Sequence, residues 1–236
     1  GPHRARGQAT GQFHLFMPEI EEGKSEGTSP EMASRIAELR EDLRKAKSQS
    51  RADLAAEIRD MGFSCQGCGE CCRGEDNSVL VFPFEIRSIQ KNAGLSWAEV
   101  AEPPEEGEWD IEGYFHTLEW RLAKVGEACR FYQGGVCAIY PVRPMICRTY
   151  PFYLDRGKLM ASECRALGRE IDDQEAQRLA ELLIARQVIE IEESIALLER
   201  YRDFPRGPPG KRGIIVHDSE GVHIIASDCC ASGKEQ

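Results

Sequence analysis

The stretch Cys65–Cys72 reads CQGCGECC and places four thiols within eight residues. Disulfide bonds between cysteines this close together would close only very small rings, so the spacing does not suit a disulfide framework. The gaps of two residues instead let the backbone wrap several thiolates around one soft metal ion or around an iron–sulfur cluster. The stretch therefore predicts a metal or cluster site, around which the neighbouring chain has to fold.

The whole chain has the composition of an acidic globular protein, with 236 residues, ten cysteines and a formal net charge of −10. Nucleic acids and anionic membranes attract a basic face, so this charge predicts neither general nucleic-acid binding nor membrane binding. A local basic patch around Arg143, Arg148 and Arg165 stays open. The sequence has no run of about 18 apolar residues and no secretory signal in residues 1–11. Clustered cysteines without such a signal predict a reducing, cytoplasmic location.

Five segments follow one another along the chain. Residues 1–28 are rich in Gly, Glu and Ser and lack periodicity, which predicts a disordered tail. Apolar residues at helical spacing predict one or more N-terminal helices over residues 29–61 and a long helix over residues 169–204. Residues 62–168 contain eight of the cysteines and are predicted to form a cysteine-cluster metal-binding domain. Residues 205–236 are predicted to form a β-hairpin and a C-terminal tail.

The predicted fold class is α-rich α+β, with an irregular core stabilised by cysteines and metal, long flanking helices and a C-terminal β-hairpin. Ser29 and Ser50 stand where N-caps are expected, each before an apolar helical pattern. This pattern fits a coiled-coil seam as well, but only about four heptads are present, which favours packing on the chain's own core. Short pieces separated by Gly and Pro dominate the cysteine-rich region, as expected where metal bonds replace part of a hydrophobic core.

Four further cysteines are dispersed after the first motif, at Cys129, Cys137, Cys147 and Cys164. Together the eight thiols make two sets of four, the ligand number of a tetrahedral zinc site and of a [4Fe-4S] cluster. The adjacent side chains of Cys71 and Cys72 are expected to diverge, so they serve two neighbouring centres more easily than one. A single site with spare thiols stays open, and thiolate ligands alone do not distinguish zinc from iron–sulfur clusters.

A second motif lies among these cysteines, where Cys137–Phe152 reads CAIYPVRPMICRTYPF. Together with Cys65–Cys72, it resembles the CxxCxxCC family of zinc- or iron-chelating, YkgJ-like cysteine-cluster domains. Phe82–Ile86 is similar to the strand and acidic helix start that this family has after its first motif. The resemblance therefore covers about residues 62–168.

This resemblance implies a cofactor rather than a reaction, because the activity of the family is poorly defined. The implied ligands of a metal ion or cluster are Cys65, Cys68, Cys71, Cys72, Cys137 and Cys147. Cys129 and Cys164 stand where the family often has further cysteines, and they complete the predicted set of eight. A related cysteine cluster occurs in flagellin lysine methylases, but this chain has no recognisable methyl-donor site or nucleotide-binding glycine loop.

Several other side chains have a functional and a structural interpretation. Arg143 and Arg148 either donate hydrogen bonds to an anionic thiolate cluster or form surface salt bridges. The remaining predictions are structural. Tyr140 and Tyr150 are predicted to be packed core rings, and His116 a packed side chain. His217 and His223 are predicted to lie at the surface, and Cys229 and Cys230 to be free thiols.

Three functions fit these residues. The preferred hypothesis is a protein with two [4Fe-4S] clusters that exchanges electrons with a protein partner, because aromatic neighbours such as Phe131 and Phe152 suit a shielded cluster. The first alternative is a structural Zn²⁺ site that supports an interaction module. The second alternative is a cluster-dependent enzyme or a metal-delivery factor, which would keep one coordination position open. The sequence identifies no general base, nucleophile or substrate pocket, so whether the protein is an enzyme stays open.

Overall fold

The computed structural model describes residues 29–74 and 78–226. The predicted tail over residues 1–28 and the pair Cys229 and Cys230 lie outside the described residues. Within the described ranges, no helix combines the length and the apolar character needed to cross a membrane.

The described residues form a mixture of helices and short strands, which confirms the α+β prediction, while stabilisation of the core by cysteines stays a prediction. The α-helices are α1 (Pro30–Lys47), α2 (Arg51–Met61), α3 (Pro83–Ala93), α4 (Trp97–Val100), α5 (Met145–Thr149) and α6 (Asp173–Arg200). The strands are β1 (Leu80–Val81), β2 (Ala101–Glu102), β3 (Glu108–Trp109), β4 (Tyr114–Leu118), β5 (Trp120–Leu122), β6 (Lys124–Val125), β7 (Ala128–Cys129), β8 (Tyr132–Gln133), β9 (Val136–Cys137), β10 (Phe152–Asp155), β11 (Lys158–Ala161), β12 (Gly213–Asp218) and β13 (Gly221–Ala226). Single 3₁₀ turns lie at Glu70–Cys72 and Tyr140–Val142.

The described chain divides into two compact units, and each unit is built from several separate stretches of sequence. The cysteine unit contains the described residues of 38–79 together with 124–192, and the sheet unit contains 29–37, 80–123 and 193–226. All eight predicted ligands belong to the cysteine unit.

The helix starts follow capping residues that the sequence contains. The backbone N–H of Met32 donates to Ser29 Oγ at 3.2 Å, and that of Asp53 donates to Ser50 Oγ at 3.2 Å. Each bond satisfies an N–H that has no partner within the first turn of its helix. At the other end of a helix, α3 stops at Gly94, whose φ of 68° is left-handed. The predicted starts of α1 and α2 are therefore confirmed.

The main apolar cluster of the cysteine unit lies among α2, α6 and the hairpin β10–β11. Leu54 and Ile58 of α2 share this buried cluster with Phe152 of β10 and with Leu179 and Leu183 of α6. Complete burial of an apolar side chain of this size contributes about 1.5–3 kcal/mol. Leu54 and Ile58 of α2 thus pack on the chain's own core. This is the packing that the sequence analysis favoured, rather than a coiled-coil seam.

A four-stranded sheet with the order β13-β12-β4-β3 lies in the sheet unit. The antiparallel pairing of β12 with β13, in which Asp218 lies opposite Gly221, confirms the predicted C-terminal hairpin. The sequence did not predict that β12 also pairs parallel with β4, with Ile215 opposite His116. This second pairing brings His116 and His217 onto neighbouring strands, although 101 positions separate them in the sequence.

Candidate metal centre

Glycine turns fold the first cysteine motif, Cys65–Cys72, back on itself. Gly67 and Gly69 have φ values of 63° and 70°, in the left-handed region that glycine adopts most readily. A Cβ atom on Gly69 would lie only 2.2 Å from the hydroxyl oxygen of Tyr132. Each gap between the first three cysteines of the motif therefore contains a glycine that turns the chain.

The 3₁₀ turn at the end of the motif brings the sulfur atoms of Cys71 and Cys72 to 3.9 Å from each other. The expectation that these two side chains diverge is therefore wrong for their sulfur atoms. Arg73 holds the turn in place, because its guanidinium group donates to the carbonyl oxygens of Cys68 at 3.1 Å and Gly69 at 3.3 Å. The motif is thus fixed by backbone turns and by a neighbouring arginine.

A backbone bridge brings Cys164 to the beginning of the first motif. Phe63 and Leu167 form an isolated antiparallel bridge, which aligns the residues before the motif with those after Cys164. An ion pair between Arg165 and Glu70 joins the same two stretches. These contacts connect parts of the sequence that are 95 and 104 positions apart.

A second antiparallel bridge, between Arg73 and Ala128, brings the hairpin β6–β7 to the end of the first motif. Cys129 is the last residue of β7, directly after the bridged position. The next hairpin pairs β8 with β9, and Cys137 is the last residue of β9. The bridge therefore places the Cys129 hairpin beside the end of the first motif, and the following hairpin carries Cys137.

The thiols around Cys72 act on one another electrostatically. A hydrogen bond with Cys71 raises the pKa of Cys72 far above its ordinary value, and burial and the charges of Cys71, Cys129 and Cys147 raise it further. Burial raises the pKa of Cys129, to which the charges of Cys137 and Cys71 add. Thiolates therefore repel one another here, and a bound cation would relieve that repulsion.

The thiols around Cys164 interact in the same way. Burial raises the pKa of Cys164, and the charges of Cys68, Cys71 and Cys65 raise it further. Tyr150 lies half-buried beside them, and its hydroxyl donates to the carbonyl oxygen of Glu163 at 2.8 Å. Burial, followed by the charges of nearby thiols, raises the pKa of this tyrosine to about 12. Cys164 is therefore within electrostatic reach of three cysteines of the first motif.

Cys71 differs from the other thiols, because its charged form is favoured. A hydrogen bond from Cys72 lowers its pKa to about 7 against the effect of burial, and the positive charge of Arg143 contributes to the lowering. Arg143 itself stacks 3.5 Å from the ring centre of Tyr140, whose side chain is 61% exposed. The predicted core position of Tyr140 is therefore wrong. Arg148 is exposed.

The eight cysteines offer only sulfur donors, which suits zinc and iron–sulfur clusters alike. Over residues 29–74 and 78–226, no group of three or more His, Cys, Asp or Glu side chains has the arrangement of a metal-ion site. The assignment of the eight thiols as ligands therefore stays a prediction.

The sheet unit contains a buried row of polar side chains that the sequence analysis missed. His116 Nε2 lies 2.9 Å from Asp110 Oδ2, and His116 Nδ1 lies 2.8 Å from His217 Nε2. The ring of Phe204 stacks on His116 at a centroid distance of 3.6 Å. His116 is packed, as predicted, whereas His217 is only 6% exposed, so its predicted surface position is wrong. The sequence gives no local signal for this row, because strand pairing between distant segments creates it.

Comparison with known families assigns the region that contains both cysteine motifs. Residues 64–165 match the model of the CxxCxxCC family, whose description is "Putative zinc- or iron-chelating domain". No solved structure shows a significant match to the chain. The matched region contains all eight cysteines of the predicted site. The match over residues 64–165, which is less than half of the chain, confirms the resemblance carried by the two motifs.

Proposed function

We propose that the protein binds two [4Fe-4S] clusters through its eight cysteines in the CxxCxxCC region and exchanges electrons with a protein partner in the cytoplasm. The observation that supports the proposal is the presence of all eight cysteines in one compact unit, where two backbone bridges bring the segments of Cys129 and Cys164 to the first motif. Four cysteine thiolates hold one [4Fe-4S] cluster, so eight supply two. The zinc- or iron-chelating class of the matched region supports metal binding in general.

Aromatic side chains beside the cysteines support a cluster that needs shielding from water. Phe131 and Phe152 are buried, at 3% and 1% exposed. Phe63 packs edge-on against Phe152, with 5.6 Å between the ring centres. Phe131 and Phe63 each stand two positions from a predicted ligand. An apolar surrounding of this kind limits solvent access, which is one of the factors that set the reduction potential of a cluster.

The exposure of two thiols supports electron exchange with a partner. Cys65 and Cys71 are exposed, whereas the other six are partly buried. Exposed ligands would bring the edge of a cluster close to a docked protein. The positive charge of Arg143 acts on Cys71, and it would favour the more negative, reduced form of a cluster bound there. A bound cluster supplies reversible one-electron chemistry, while the chain holds, shields and tunes it.

A reductive titration tests this function. The full chain, purified without oxygen, is reduced stepwise with dithionite and reoxidised with ferricyanide while the visible spectrum is recorded. We expect broad absorbance at roughly 400 nm that bleaches on reduction and returns on oxidation. Cys230→Ser serves as the control, because Cys230 lies outside the matched region, and it should bleach like the wild type. A protein that contains iron but does not bleach reversibly would contradict electron transfer.

A structural zinc site is the second candidate, and one distance favours it. Two thiolates on one tetrahedral zinc ion, with Zn–S bonds of about 2.3 Å, have sulfur atoms about 3.8 Å apart. The sulfur atoms of Cys71 and Cys72 lie 3.9 Å apart. In this case the metal would stabilise an interaction module. The titration separates the two functions, because a zinc protein has no visible absorbance to bleach.

A further inference from the structure

The stretch that holds the four dispersed cysteines is basic, although the chain as a whole is acidic. Residues 129–165 contain six Arg or Lys and two Asp or Glu, whereas the whole chain contains 30 and 40. Three of the four cysteines are followed directly by an arginine, at Arg130, Arg148 and Arg165. A segment whose charge is opposite to that of the whole chain indicates a local surface with its own choice of partner.

Two of these arginines lie on segments that are joined to each other and to the first motif. The Tyr150 hydroxyl donates to the carbonyl oxygen of Glu163 at 2.8 Å, which joins the end of α5 to the stretch around the last of the eight cysteines. Arg165 lies in that stretch and forms an ion pair with Glu70 of the first motif. Arg148 lies in α5 and is exposed. Positive charge is therefore present at the surface beside the predicted ligands.

Arg143 and Tyr140, which also belong to the second motif, form a stacked pair at the surface. The guanidinium carbon of Arg143 lies 3.5 Å from the centre of the Tyr140 ring, and a guanidinium N–H donates to the Tyr140 carbonyl oxygen at 3.3 Å. Tyr140 is 61% exposed. These contacts hold the guanidinium in place before a partner arrives, which reduces the entropy lost on binding. Tyrosine and arginine are among the side chains that contribute most at protein–protein interfaces, so the pair suits an anchor.

We infer that Tyr140, Arg143, Arg148 and Arg165, which together are named the arginine surface, bind the acidic surface of an electron-carrier protein. The inference rests on the proposed function, because it names the kind of partner with which the cysteine region exchanges electrons. Charge complementarity selects an acidic carrier and disfavours a basic one. A compact protein is favoured over a nucleic acid, because a long polyanion would also meet the net negative charge of the remaining chain.

Binding of a plant-type [2Fe–2S] ferredoxin with an acidic surface tests this inference on the full chain. The ferredoxin carries a fluorescent label, and its anisotropy is recorded as the anaerobically purified chain is added at NaCl concentrations from about 0.05 M to about 0.3 M. We expect the Kd to rise roughly tenfold over this range, because salt screens the attraction. The net charge of −10 alone predicts repulsion, and therefore tighter binding at high salt. A Kd that falls with salt, or no binding, would overturn the inference.

Charge reversals locate the contact. Arg143→Glu and Arg148→Glu should each raise the Kd roughly tenfold at about 0.05 M NaCl. Arg212→Glu is the matched control, because Arg212 is an exposed arginine of the sheet unit whose guanidinium carbon lies 5.4 Å from the ring centre of Tyr114. It changes the net charge equally and should leave the Kd unchanged. Equal weakening in all three variants would overturn the arginine surface. The salt series on the wild type needs no variant, so it decides the question if a variant fails to fold.

Two further measurements separate the inference from its alternatives. A single-stranded DNA oligonucleotide should not displace the ferredoxin, and displacement would overturn a protein partner in favour of a nucleic acid. Dithionite-reduced ferredoxin should pass one electron from its own cluster to the iron-loaded chain, at a rate that falls as NaCl is added. Salt-sensitive binding without electron transfer would support the arginine surface and contradict the proposed function. Electron transfer that salt leaves unchanged would support the proposed function and overturn the arginine surface.

Discussion

The buried pair His116 and His217 makes the stability of the sheet unit sensitive to acid. Burial, followed by the charge of His116, lowers the pKa of His217 from its ordinary 6.5 to about 4. The native state therefore binds this proton less readily than the unfolded chain does. The contribution to stability is complete above pH 6.5 and is lost as the pH falls through 4.

The size of this effect follows from the pKa difference. One pKa unit corresponds to about 1.4 kcal/mol, so a shift from 6.5 to about 4 corresponds to at most ~3.5 kcal/mol. His217→Gln removes the titrating ring and keeps an N–H that can donate to His116 Nδ1, which now lies 2.8 Å from His217 Nε2. Between pH 7 and pH 4, the free energy of unfolding of the wild type should therefore fall by ~1–3 kcal/mol more than that of the variant.

Urea denaturation at several pH values, followed by circular dichroism, measures this difference. Val222→Gln is the matched control, because Val222 lies opposite His217 on strand β13, is 56% exposed and carries no titrating group. It should keep the pH dependence of the wild type. Equal pH dependence in wild type and His217→Gln would refute the argument, because the buried ring would then contribute nothing to acid sensitivity.

Two substitutions test the packing around the site. Gly69→Ala places a Cβ 2.2 Å from the Tyr132 hydroxyl at a left-handed φ, so we expect a loss of at least ~1 kcal/mol and reduced metal content. Gly134→Ala has a similar φ but no neighbouring atom within 4 Å, and it should keep its metal; equal losses in both variants would contradict the role of Tyr132. Phe152→Ala empties a position that is 1% exposed and should cost ~3–5 kcal/mol in urea denaturation, whereas Tyr140→Ala, 61% exposed, should change stability little.

The helices could be predicted because their signals are local. Ser29 and Ser50 cap their helices with bonds to residues three positions later, and such spacing is visible in one sequence. The C-terminal hairpin was predicted for the same reason, because its turn and both strands are contiguous. The pairing of β12 with β4 could not be predicted, since no local pattern selects a partner 99 positions away.

In the candidate site, too, features set by local spacing could be predicted, whereas features set by tertiary contacts could not. The spacing within Cys65–Cys72 indicated metal chemistry from the sequence alone, and the family match agrees with that interpretation. The position of Cys71 beside Cys72 was predicted incorrectly, because a 3₁₀ turn brings their sulfur atoms together. The approach of Cys129 and Cys164 to the first motif could not be predicted, because it depends on two backbone bridges between distant segments. Tyr140 was expected in the core as an aromatic ring, but stacking with Arg143 accommodates it at the surface.

The measurement that tests the central claim most directly is the content of metal and acid-labile sulfide per chain, determined on one anaerobically purified sample. Two [4Fe-4S] clusters predict about eight iron and about eight sulfide per chain, with no zinc. One or two zinc ions per chain, without iron or sulfide, would contradict the iron–sulfur proposal and leave the cysteines as a structural metal site.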